Sequence, residues 1–190
     1  MKQVRLINRT YYFHHFVNDE PGALTSGVIS FCDENGIFSA LGHGPEHPMD
    51  MAVVYEEYHA ETGKVSGDVG AVLHADERGI YGAYYDGLQP PTRGVYPVLP
   101  FLEIREGPAT MLFPVGSDRR EAPGEIVALF PGKPYPVLFL LGKGQRSVTG
   151  GVSGCVILQD GKLAAVVAGG ETDPGKLLYC TAAEDMLLDQ

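Results

Sequence analysis

Two residues in this chain sit among neighbours suited to nucleophilic chemistry. Ser153 lies within Gly150-Gly151-Val152-Ser153-Gly154, and glycines on both sides let the backbone take positive φ and turn successive amide N–H groups into one small space. Such a space beside a hydroxyl stabilises an oxyanion, with the N–H groups of Gly151 and Ser153 as candidate donors. His43 is flanked by Gly42 and Gly44. That setting leaves room for a second segment to approach the imidazole, as a general base accepting a proton from a hydroxyl requires. Taken singly, each residue also reads more simply, Ser153 as part of a loop between strands and His43 as a hydrogen-bonded turn histidine. His47 follows His43 by four positions, with Glu46 between them, which raises a metal pair. Gly44 and Pro45 argue against the helix that would place both rings on one face, and the HExxH order is absent. His59 and His74 add no ligand spacing, so neither a metal nor a cofactor is expected.

The elements that must position these residues are short strands. After Ser153 comes an apolar run, Val156 to Leu158, then Gln159-Asp160-Gly161-Lys162 and a second run, Leu163 to Ala168, closed by Gly169-Gly170. Asp-Gly between two apolar runs is a strong hairpin signal. Toward the N-terminus, Val4 to Ile7 and Tyr11 to Val17 are apolar pieces separated by Asn8-Arg9-Thr10. His14 and His15 alternate faces if the second piece is a strand, so one is packed and the other wet. Asn18 to Gly22 forms a turn, and Leu24 to Cys32 and Ile37 to Leu41 pair around Asp33-Glu34-Asn35-Gly36, delivering the chain to His43. Strands are also predicted at Ala52 to Tyr58, Gly67 to His74, Gly79 to Tyr85, Val95 to Leu99, Gly107 to Val115, Gly124 to Phe130 and Pro136 to Leu141. Tyr81, Tyr84 and Tyr85 are expected to pack across a sheet. Gln89 to Gly94, with its Pro-Pro pair, reads as the crossover between two β halves of a single domain spanning 1–190. Thr181 to Leu188 has the apolar pattern of a short C-terminal helix, and Thr181 and Glu184 have capping-box spacing.

Composition bounds the partners. A chain of 190 residues with 25 Gly, 14 Pro and no Trp is punctuated too often for long helices and reads as mostly β. The net charge of −10, without a basic stripe, disfavours nucleic acid and anionic membrane. Cys32, Cys155 and Cys180 each stand beside apolar residues, and their odd number favours reduced, buried packing over a disulfide framework. The N-terminus lacks the apolar stretch of a signal peptide, and no run approaches a transmembrane length, so a cytoplasmic location is the default expectation. A dozen short strands, a mid-chain crossover and a terminal helix fit a pair of packed β-barrels. With His43 in the first half and Ser153 in the second, the chain order is that of the chymotrypsin-like serine peptidases.

Several motifs carry a narrower resemblance. Leu41-Gly42-His43-Gly44, Gly79-Ile80-Tyr81-Gly82, Glu106 to Thr110, Thr149-Gly150-Gly151 with Ser153-Gly154, and Gln159-Asp160-Gly161-Lys162-Leu163 occur in this order. From about residue 20 to 190 the chain resembles the peptidase domain of the stage IV sporulation protein B family. The resemblance implies a chymotrypsin-like double β-barrel and a bacterial serine endopeptidase of sporulation, acting on a peptide or protein substrate, with Ser153 as nucleophile and His43 as general base. Members of that family work outside the cytoplasm and carry a membrane anchor and a PDZ domain ahead of the peptidase, neither of which fits in front of His43. Their catalytic acid falls near Gly142 by ungapped counting, yet Leu140 to Val148 holds no Asp or Glu. Asp86 is a substitute by chain order. The alternative reading is a degenerate relative that keeps the fold and binds peptide without cleaving it.

Overall fold

The computed structural model describes residues 1–41, 51–76, 79–115, 118–142, 152–170 and 177–187. Two antiparallel barrels account for nearly all of them. The first contains β1 (Gln3–Val17), β2 (Glu20–Cys32), β3 (Ile37–Leu41), β4 (Met51–His59), β5 (Lys64–Asp76) and β6 (Gly79–Tyr84) in the order β2-β3-β6-β5-β4-β1, closed by the β1–β2 pairing. The second contains β8 (Gly107–Val115), β9 (Asp118–Leu129), β10 (Val137–Leu141), β11 (Val156–Gln159), β12 (Lys162–Gly170) and β13 (Leu177–Ala182) in the order β10-β13-β12-β11-β8-β9, again closed.

The tight turns have the backbone their residues favour. Asn18 and Asp19, both at positive φ, join β1 to β2, and Asp160 and Gly161 do the same between β11 and β12. Two successive positive-φ residues give a turn whose twist matches that of paired strands. At the β2–β3 turn the Asp33 carboxylate accepts from the backbone N–H groups of Asn35 and Ile37, while Gly36 takes φ 79°.

Several expectations are corrected. The two N-terminal apolar pieces are one strand: Asn8, at φ 46°, sits at a register shift in which the chain bends without breaking. Beyond this bend β1 pairs with β4, and before it with a short strand, β7 (Val95–Pro97). β9 begins six residues earlier than its apolar run, because Asp118-Arg119-Arg120-Glu121 pairs with Leu112 to Val115 as the outer part of a long hairpin. Tyr81 and Tyr84 are buried, whereas Tyr85 is exposed and donates its hydroxyl to the Asp68 carboxylate. The C-terminal helix shrinks to a single 3-10 turn, Ala183–Met186. Thr181 belongs to β13, and the Glu184 carboxylate accepts from the Phe101 N–H at 2.6 Å, so the capping box never forms. His15 and His14 divide only in part: His15 is buried and bonded to the Thr25 hydroxyl, whereas His14, expected to be wet, is half-buried with its ring against Phe16.

The chain passes between barrels just beyond the Pro-Pro stretch. β7 still pairs with β1, and Val98 then bridges Leu163 of the second barrel. An apolar cluster seals the two barrels together, with Val4, Leu6 and Phe31 from one side, Leu112, Val156, Leu163 and Val166 from the other, and Ala183 and Met186 of the terminal turn wedged among them. Cys32, Cys155 and Cys180 are all free and buried, and burial pushes the first two thiols up to about 11 and about 12. No helix among the described residues is long and apolar enough to cross a membrane.

Candidate active site

Ser153 occupies a turn that precedes β11, and the backbone around it is held from several directions. The Cys155 N–H closes the turn on the Val152 carbonyl at 3.0 Å. The Gly154 N–H donates to Val167 O, and the Val167 N–H returns to Cys155 O, both at 2.8 Å, which ties the turn to β12. Gly154 has φ 95°, a conformation that side chains resist, and a Cβ there would stand 2.9 Å from the Val28 Cβ and closer still to the Val28 carbonyl oxygen. Only glycine lets strand β2 of the first barrel approach this turn so closely. From the same strand the buried Ser30 hydroxyl donates to Gly154 O at 2.7 Å.

At the far end of the hairpin that follows, Gln159 is almost wholly buried and its side chain brackets residue 105, accepting from the Arg105 N–H and donating to the Arg105 carbonyl. The Arg105 guanidinium meets the Asp160 carboxylate at 2.6 Å and holds that exposed carboxyl below its ordinary value.

The Ser153 side chain is half-buried, and its hydroxyl donates to the Ala168 carbonyl at 3.0 Å. Ala168 lies where β12 outruns its neighbour. Pairing of β12 with β11 ends at Val156 opposite Val166, while pairing with β13 continues to Gly170 opposite Leu178. The segment Ala168-Gly169-Gly170 therefore runs past Ser153 with β13 on its other side.

Of the residues singled out from sequence, Ser153 is described; His43, His47 and Gly151 lie outside the described residues. The described chain ends two residues before His43, at Leu41. Leu41, the last residue of β3, is the register partner of Val28, the residue seated on Gly154.

The same registers separate two acidic positions. β3 pairs with β6 from Ile37 opposite Ala83 to Ala40 opposite Ile80, so β3 leaves the sheet at the N-terminal end of β6. Asp86 follows the other end of β6 in an exposed turn, about 10 Å or more along the strand from Ile80, and so falls at the wrong end of the barrel. Asp76, the partner of Gly79 in the closing pair of the β5–β6 hairpin, stands at the end where β3 departs. The strands expected at Gly67 to His74 and Gly79 to Tyr85 left Asp76 between them with no assigned role. The missing signal was the adjacency of β3 and β6, which no local pattern encodes.

No family model matches this sequence, and no curated protein matches it. Solved structures do. The HtrA-type protease AlgW with a tripeptide is similar over 96% of this chain, with TM-score 0.55 and 15% identity. Tobacco etch virus protease complexed with product is similar over 94% of the chain, with TM-score 0.56 and 10% identity, and covers 74% of that protein's chain. The Rv3671c protease in its inactive form is similar over 94% of this chain and 85% of its own, with TM-score 0.53 and 14% identity. This chain spans 58% of the AlgW chain. At such identities the likeness is one of fold: the molecule is a chymotrypsin-like double β-barrel.

Proposed function

We propose that the protein is a serine endopeptidase of the stage IV sporulation protein B type, with Ser153 as nucleophile and His43 as general base. The observation that carries this reading is the seating of Gly154 on Val28, whose register partner Leu41 precedes His43 by two residues. Two residues reach at most about 7 Å, so on this reading the chain beyond Leu41 has only a short way to carry His43 toward the Ser153 turn.

In the proposed reaction a peptide lies along Ala168 to Gly170 as an added strand, a mode in which main-chain hydrogen bonds supply affinity. The Ser153 hydroxyl gives up its bond to Ala168 O, at a cost of about 1 kcal/mol, and turns its proton toward His43. Oγ attacks the scissile carbonyl as His43 takes that proton, and the N–H groups of Gly151 and Ser153 receive the developing oxyanion. His43 then protonates the leaving amine; a water molecule, deprotonated by His43, attacks the acyl carbonyl, and His43 returns that proton to Ser153 Oγ as the acyl–Oγ bond breaks. We further propose Asp76, whose backbone stands on the rim where β3 departs, as the acid that orients the imidazole.

The second reading, a relative that binds peptide without cleaving it, is favoured by two observations. Leu140 to Val148 lacks the carboxylate of the resembled family, and the Ser153 hydroxyl is engaged by a backbone carbonyl. A fluorophosphonate probe separates the readings. Labelling of the folded protein that is lost in both Ser153→Ala and His43→Ala establishes the peptidase. No labelling of the folded protein at any pH between about 6 and 9, a range spanning ordinary imidazole titration, removes the peptidase reading in favour of the non-catalytic relative.

A further inference from the structure

We infer that Ser30 is a positioning residue for the Ser153 amide, acting from the first barrel through two planar peptide units. This rests on the proposed role of Ser153. Ser30 is fully buried in β2, and its hydroxyl donates to Gly154 O at 2.7 Å across the barrel interface. Gly154 O shares a peptide plane with the Cys155 N–H, and in a trans peptide the two groups point in opposite directions. Fixing the carbonyl on Ser30 therefore aims the Cys155 N–H, which donates to Val152 O at 3.0 Å. Val152 O in turn shares a plane with the Ser153 N–H, so its engagement sets the direction of that amide. The Ser153 N–H is one of the two proposed oxyanion donors, and its direction matters most when charge develops on the substrate oxygen.

Gly154, at φ 95°, has no side chain of its own to anchor the turn, so its two backbone groups are held by partners: its N–H by Val167 O of β12 and its carbonyl by Ser30. Ser30 also belongs to the strand whose residue Val28 is paired with Leu41. One strand thereby sets the amide of Ser153 and the departure point of the segment bearing His43.

Ser39 supplies a matched control. Its buried hydroxyl also donates across the barrel interface, at 3.3 Å, but to Met186 O in the C-terminal turn instead of to a peptide unit of the Ser153 turn. The test compares Ser30→Ala with Ser39→Ala in fluorophosphonate inactivation, thermal melting and the backbone amide NMR resonances. The expected result is a roughly 10- to 100-fold lower maximal inactivation rate in Ser30→Ala with unchanged probe affinity, since one misaimed donor costs on this order. Ser39→Ala should melt earlier to a comparable extent and label at the wild-type rate. The Ser153 amide resonance should shift in Ser30→Ala and stay in place in Ser39→Ala. Equal losses of inactivation rate in the two variants, or an unmoved Ser153 resonance in Ser30→Ala, would overturn the inference. A wild-type protein that never labels, with a Ser153 resonance that still moves in Ser30→Ala, would sink the peptidase reading and leave the mechanical link standing.

Discussion

His15 shows how a single residue answers to its surroundings. Its ring lies in the first barrel against the Thr25 hydroxyl, and burial, followed by the neighbouring His14, pushes its pKa below the ordinary value of 6.5. The folded state therefore binds this proton less readily than the unfolded state. The resulting stability is fully present above the unfolded value near 6.5 and is lost as pH falls through the lower folded value. Melting temperature measured from pH 8 down to about 4.5 should accordingly fall more steeply in the wild type than in His15→Gln, which cannot titrate there. Parallel curves for the two proteins would remove His15 as a source of acid sensitivity.

At the scale of elements, hairpin registers decide which charged residues can serve the site. β6 lies between β3 and β5, so the β5–β6 turn and the outgoing end of β3 share one rim of the barrel, while the turn that follows β6 lies on the other. Asp76 and Asp86 thus make a paired test. Asp76→Asn should slow fluorophosphonate labelling by about a thousandfold or more, the size of effect seen when a triad loses its acid. Asp86→Asn should label at the wild-type rate. Equal rates in Asp76→Asn and the wild type would mean that His43 is oriented by some other group.

For the whole molecule, the interface between barrels is the feature on which the proposed site depends, because the proposed base follows β3 of the first barrel in sequence and the proposed nucleophile precedes β11 of the second. Met186 is fully buried in the cluster that joins them, together with Phe31, Leu112 and Val166. Met186→Ala should cost about 2–5 kcal/mol, the range for emptying a buried large side chain, as read from urea unfolding. Labelling of Ser153 should fall along with it if the barrels loosen against each other before either unfolds.

What the sequence determined by itself was local. Asp160-Gly161 between apolar runs, the Asp33 to Gly36 turn, and the alternation of His14 and His15 each rest on residues within a few positions of one another, and the backbone dihedrals and strand period that govern them act over the same range. The glycine beside Ser153 was legible as a place of positive φ for the same reason. Local pattern failed where a distant partner set the outcome. Asp118 to Glu121 carries too much charge to look like a strand, yet it is one because Leu112 to Val115 pairs with it. Thr181 and Glu184 have the spacing of a helix cap, but Val166 takes the first into a sheet and the Phe101 amide takes the second. Only tertiary structure could bring Val28 and Ser30 onto Gly154, more than a hundred residues away, since that contact follows from two barrels closing on a shared apolar seam and not from any feature of the intervening chain.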